Sequence, residues 1–244
     1  MKNSVIRLFA ALIVSLATTR MALAASDTWT GSGADDNWMT PANWGVLAPS
    51  PGDFLYWGSG PTTANNNFPS GTLFGNLQFK SGSASFTLTG NGIVLTNLYD
   101  SAAGFAPSEL VGFNNTSFGS ISNLSINAQT INLPIELMNG YHFISAATTG
   151  NLNIRGAITR DIGGVVTFYK SGSGAINLGG SGLATNGFNN ILGGWAVLND
   201  TNWATLDGSS NVIPASYVIV PTTVTNAPTF NYIVSTTAPG LAAG

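Results

Sequence analysis

Cysteine is missing from this 244-residue chain, histidine occurs once, and charged residues make up only 7% of it. Without cysteine there is no disulfide framework, no thiolate nucleophile and no cysteine-based metal site. A single histidine, His142, excludes a histidine-rich metal site, and its place between Tyr141 and Phe143 reads as an outward strand position. Serine is abundant, yet no Gly-x-Ser-x-Gly elbow occurs, and one histidine would have to serve any triad. Gly-rich runs such as Gly172 to Gly182 lack the Gly-Lys-Ser/Thr ending of a phosphate loop. No cofactor is expected.

Charge is scarce mainly on the basic side. The first residues hold Lys2 and Arg7, then an apolar run from Leu8 to Ala17, then Ala22-Leu23-Ala24. That order is the pattern of a secretory leader cleaved between Ala24 and Ala25, so residues 1–24 are expected to be a signal peptide. The apolar run is far shorter than the ~20 residues of a membrane-spanning helix, and no span is expected in the mature chain. Removing the leader leaves Lys80, Arg155, Arg160 and Lys170 against ten acidic residues, a net charge of −6. Four scattered cations make no phosphate-tracking stripe, which excludes nucleic acid as an expected partner.

What the chain does contain is glycine (30 residues), long polar uncharged runs and 44% apolar residues, a composition that folds. Leu124-Ser125-Ile126, Ile131-Asn132-Leu133, Ile135-Glu136-Leu137, Leu152-Asn153-Ile154 and Ile176-Asn177-Leu178 repeat a two-residue period. Alternation of that kind places every second side chain in a core. Leu77 and Phe79, Phe86 and Leu88, and Ile93 and Leu95 continue it upstream, with Gly82, Gly90 and Gly92 between them as turn residues. Strands this close together leave no room for helical crossovers but fit one coil of a solenoid. The fold class expected is all-β, a parallel β-helix.

A distant self-match supports the repeat. Lys80 to Gly90 resembles Lys170 to Gly180, and the 90-residue offset reads as four coils of ~22 residues. Stacked asparagines, among them Asn123, Asn127, Asn132, Asn151, Asn153 and Asn177, suggest amide ladders along the stack. Tyr99 to Phe118 breaks the pattern and is expected to bulge as a longer loop.

Residues 25–72 differ from the rest. Trp29, Trp38, Trp44 and Trp57 sit among Gly, Pro, Asn and Asp, and the segment is read as a cap over the first open edge of the stack. Residues 73–220 are read as the β-helix repeats and 221–244 as a tail rich in Thr, Pro and Ala. The alternative for the four tryptophans is a glycan-stacking platform. Asp35-Asp36-Asn37 lacks the spacing of a calcium loop and reads as a solvated turn.

Pro134-Ile135-Glu136-Leu137, Gly150 to Ile158, the Lys170 to Gly180 run and Gly193-Gly194-Trp195-Ala196-Val197 resemble the autotransporter-associated β-strand repeat proteins. Asn37-Trp38 and Pro41-Ala42-Asn43-Trp44, followed by Pro51-Gly52-Asp53, are similar to the openings of such proteins. The resemblance implies a right-handed β-helical passenger, secreted or displayed at the surface of a diderm bacterium. It also implies that the chain is either a short member or a piece of a longer one.

Three functions follow as expectations. The first is a structural or adhesive surface protein with no catalytic site, meeting surface glycans or other cell-surface proteins. The second is a carbohydrate-binding module using the tryptophans. The third is a polysaccharide-cleaving enzyme, which needs a base or two flanking carboxylates. Its candidates are thin: Asp100, Glu109, Glu136 and Asp161 recur at no spacing that unites them, and Arg155 and Arg160 have no acidic calcium cluster beside them.

Overall fold

In the computed structural model, described for residues 24–96, 120–185, 190–219 and 231–233, the two-residue period becomes strands that stack coil upon coil. The first coil holds β1 (Ser26–Trp29) and a single 3₁₀ turn, Pro41–Trp44, that begins on a proline whose fixed φ suits a first turn. The second holds β2 (Phe54–Trp57), β3 (Thr63–Asn66) and β4 (Thr72–Phe74), and the third β5 (Asn76–Phe79), β6 (Thr87–Gly90) and β7 (Ile93–Leu95). The fourth holds β8 (Ser120–Asn123), β9 (Gln129–Ile131) and β10 (Ile135–Leu137), and the fifth β11 (Gly140–Ala146), β12 (Leu152–Ile154) and β13 (Ile158–Arg160). β14 (Gly164–Lys170) and β15 (Ile176–Asn177) begin another coil. After them come β16 (Ala196–Leu198), β17 (Asn202–Leu206) and β18 (Val212–Pro214), and then β19 (Tyr217–Ile219) and β20 (Asn231–Ile233) pair in parallel with each other.

The second to fifth coils each give one strand to each of three sheets. Their orders are β1-β2-β5-β8-β11-β14-β16-β17-β18, β15-β12-β9-β6-β3 and β13-β10-β7-β4. The result is a parallel β-solenoid of about five turns. Register partners lie 22 residues apart between β2 and β5, 23 between β8 and β11, and 24 between β11 and β14, which matches the spacing expected from sequence.

The core is a set of side-chain rows running along the stack. Leu55, Leu77, Ile121, Ile144 and Phe168 are successive register partners, all buried, and Leu88, Ile131 and Ile154 form a second row. Fully burying such a side chain is worth about 1.5–3 kcal/mol, so the rows give each coil its grip on the next. Turns are as specialised as rows. Gly90 has φ +101°, and a Cβ there would collide with the Asn66 carbonyl, so only glycine fits.

Several expectations are corrected by register. Regular coiling begins at Phe54, well before residue 73, because β2, β3 and β4 already pair with β5, β6 and β7. Leu124-Ser125-Ile126 forms a turn in which Ile126 is 70% exposed, since Ser125 and not an apolar neighbour fills the inward place. The Lys80–Lys170 match spans three coils, not four: Thr87, Thr130, Asn153 and Asn177 are successive partners, and one step covers 43 residues. The extra length of that step contains the segment expected as a bulging loop, Tyr99 to Phe118, which lies outside the described residues. Most of the 221–244 tail lies outside them too.

Candidate functional site

The first two coils gather the residues to which sequence gave a binding role. Trp29, Trp57 and Phe79 are register partners in β1, β2 and β5, so they form one inward aromatic row. Trp44 from the 3₁₀ turn meets Trp29 edge-on at 5.2 Å, and Trp38 lies 5.5 Å from Trp57 and 5.7 Å from Phe74. Trp44 Nε1 donates to the Trp38 carbonyl at 2.7 Å, and Trp29 Nε1 to the Pro61 carbonyl at 3.3 Å. Edge-to-face contacts of this sort add about 0.5–1.5 kcal/mol each beyond area burial.

All four tryptophans are buried, Trp44 most exposed at only 8%. A sugar stacks on an open ring face, and these faces are against one another. The glycan-stacking alternative for Trp29, Trp38, Trp44 and Trp57 therefore has no platform in this arrangement. Their packing is the one that a cap over the first coil requires.

Beside the aromatic row sits a pair of acids that sequence reasoning passed over. Asp27 lies in β1 opposite Leu55, at the head of the Leu55–Phe168 row, and Asp53 immediately precedes β2. Asp53 is 5% exposed and accepts from Ser50 N at 2.6 Å and from Ala25 N at 2.7 Å. Asp27 Oδ2 is buried without a hydrogen-bond partner. Burial, and then the neighbouring Asp53 carboxyl, push the Asp27 pKa up to about 7. The signal that unites them is the 28-residue register between β1 and β2, longer than the 22 between β2 and β5 and invisible to a ~22-residue period.

Other candidates disperse. Glu136 is exposed in β10, as its alternation implied, and faces Thr159 rather than another acid. Asp161 is exposed, and Glu109 and Asp100 lie outside the described residues. His142 is corrected from an outward to a buried position. It shares a row with buried Val166 and Ala196, and its Nε2 donates to the Met138 carbonyl at 2.7 Å. Arg155 donates to the Gly179 carbonyl, while Arg160 donates to the Asp161 and Gly164 carbonyls and lies 4.9 Å over the Trp195 ring. Both cations are thus tied to backbone of their own or the next coil. No group of three or more metal-ligating side chains occurs among the described residues.

The asparagines do not form the continuous amide ladder expected. Asn123 donates to the Gly150 and Asn151 carbonyls, Asn127 to Ser83 and Asn153 to Gln129, all across coils. Side-chain amide meets side-chain amide at the two edges of the five-stranded sheet. Asn65 Nδ2 donates to Asn37 Oδ1 at 2.8 Å at one edge, and Asn177 Nδ2 to Asn211 Oδ1 at 2.8 Å at the other. Asp35 holds Asn37 through its amide nitrogen and side chain, at 3.0 and 2.9 Å, so Asp35-Asp36-Asn37 is a structured turn.

No family model, no curated protein and no solved structure matches the chain. No helix is long and apolar enough to cross a membrane among the described residues.

Proposed function

We propose that the protein is an exported, non-catalytic β-solenoid of the autotransporter-associated repeat type, built to extend from or lie outside a diderm cell as a structural or adhesive element. The observation that carries this reading is where the polar side chains are spent. Asn, Gln, Ser and Thr on successive coils bond to backbone of the adjacent coil: Gln129 holds Phe86 N and the Ala84 carbonyl, Ser125 the Ser83 carbonyl and Asn151 the Ala175 N. Chemistry that elsewhere would bind a ligand here joins coil to coil, which suits a rod. Its partners are surface glycans or proteins met along the exposed sides, with no role for the buried tryptophans.

The test is to label the chain in a diderm host with an epitope at the exposed Ile162 turn. Antibody access on intact cells, or recovery from the medium, supports export. A chain retained in the cytoplasm with its leader intact refutes it. Loss of attachment to glycan-coated or cell-coated surfaces on deleting the gene separates adhesion from a purely structural role.

A further inference from the structure

We infer that Asp53, with Asp27 beside it, is an internal receptor for the α-ammonium group that leader removal creates at Ala25, so that processing locks the first coil onto the stack. The inference rests on the proposed export reading for the cleavage itself, and on geometry for everything after it.

In the cleavage step water adds across the Ala24–Ala25 peptide bond under a signal peptidase. The carbonyl carbon of Ala24 gains the oxygen and becomes a carboxylate, and the nitrogen of Ala25 leaves as a primary amine that takes up a proton. With an ordinary pKa of about 7.7–8.0, that amine is mostly an ammonium at neutral pH.

The nitrogen that becomes charged is already in place. Ala25 N lies 2.7 Å from Asp53 Oδ1, and the Ala25 carbonyl is fixed by Phe54 N at 2.8 Å. Asp53 cannot swing away, because Ser50 N holds its other oxygen at 2.6 Å. Ala25 itself is exposed, so the remaining ammonium hydrogens keep water while one meets the carboxylate. Cleavage turns a hydrogen bond between a neutral amide and a carboxylate into one in which donor and acceptor carry opposite charges.

The site is short of a cation. Of the groups around β1, β2 contributes Tyr56 and the flanking Asp53, the 3₁₀ turn contributes none, and the loop between them adds Asp35 and Asp36. Lys80 reaches the same strand, but its Nζ bonds Thr28 Oγ1 at 3.0 Å and lies 5.0 Å over the Tyr56 ring, on the outer side. Two carboxyls, one 5% exposed and one with a buried unpartnered oxygen, thus share a place where a retained leader offers only a neutral amide. Burial, and then the Asp53 carboxyl beside it, push Asp27 up to about 7.

The experiment compares the exported chain, its Ala25 N-terminus verified by intact mass, with the full 244-residue chain kept in the cytosol with its leader. Both are melted from pH 5 to pH 10, as wild type and as Asp53→Asn. The lock predicts that at pH 7 the processed chain melts about 3 °C or more above the unprocessed one. The amine gains a partner on folding, so its pKa rises; the advantage is full below about pH 7.7 and fades as pH climbs through the raised value. Asp53→Asn should erase the difference. Equal midpoints at pH 7, or an advantage unchanged at pH 10 or in Asp53→Asn, overturn the lock. Should Asp53→Asn fail to fold, the α-amine pKa of the processed wild type decides: a value above the ordinary ceiling of about 8.0 supports the lock, and any value at or below it overturns it. An N-terminus in the diderm host other than Ala25 overturns the cleavage reading alone, because a chain made to begin at Ala25 still reports on the pairing.

Discussion

The two ends of the stack are closed by opposite means. At the first coil the pairing stays parallel, and closure is aromatic: Trp29, Trp38 and Trp44 fold over Trp57 and Phe74. At the far end the chain reverses, β16 pairing antiparallel with β17 and β17 with β18, and Trp203 there remains 38% exposed. Yet the edges of the five-stranded sheet are sealed alike. Asp35 holds Asn37, which receives Asn65; Asp207 holds Asn211, which receives Asn177. An unpaired strand edge is a template for other chains, and one relay of carboxylate, amide and amide covers it at both ends. Packing differs between the ends because residue supply differs, while the edge problem is the same and has the same answer.

The comparison holds only if the middle transmits stability to both ends. Ile154→Asp puts an unpaired carboxylate into the Leu88–Ile131–Ile154 row of the core, where the native side chain is fully buried. The expected outcome is no cooperative melt at neutral pH by circular dichroism and loss of protease resistance at both ends together. Survival of either end as a protected fragment would show that the ends fold independently.

Next in size is a contrast between tryptophans. Trp38→Ala empties a fully buried ring site and should cost about 3–5 kcal/mol by denaturant titration. Trp203→Ala, at a partly open ring, should cost about 1 kcal/mol or less. Comparable losses would mean that the far end is packed more like the first coil than exposure implies.

These residues also show what the sequence could and could not disclose. The rows were legible because a two-residue period survives in every coil: Leu77, Leu88, Ile131 and Ile154 all sit where alternation puts them. His142 was misread because β11 buries both kinds of position from His142 to Ala146, so alternation there carries no information. The tryptophans could be counted but not oriented, and their lack of an open face depends on ring contacts 6 to 36 residues apart. The Asp27–Asp53 pair and the Asn relays are products of register between coils. Register follows from turn and loop lengths that no single segment encodes.

Smaller effects test the shared relay. Asn177 Nδ2 donates to both Asn211 Oδ1 and the Ser209 carbonyl, at 2.8 and 2.7 Å, whereas Asn65 Nδ2 has Asn37 alone, at 2.8 Å. Truncating each to alanine should cost about 1–2 kcal/mol, the larger value at Asn177, since each truncation also strands the partner's oxygen. Amide hydrogen exchange should localise the loss to β15 in one variant and to β3 in the other. A loss spread evenly over the sheet in both variants would remove the relays as edge seals.

The weakest effects, those of pH, separate the ends most cleanly because their signs differ. Hydrogen bonds from Thr40 and then Asn37 hold Asp35 below the usual carboxylate range, and those from the Asn211 side chain and backbone do the same for Asp207. A carboxyl lowered on folding stabilises above its unfolded pKa, about 3.9, and loses that stabilisation as pH falls through the folded value. Both relays should therefore weaken only in acid, and Asp35→Asn or Asp207→Asn should flatten the acid limb at its own end. Asp27 runs the other way: raised from 3.8 to about 7, its contribution is complete below 3.8 and disappears as pH rises through 7. In a chain that keeps its leader, local protection of β1 should thus fall between pH 4 and pH 7 while that of β18 stays level, and Asp27→Asn should abolish the fall. Where β1 and β18 change in step across that window, burial of Asp27 is not what distinguishes the aromatic end.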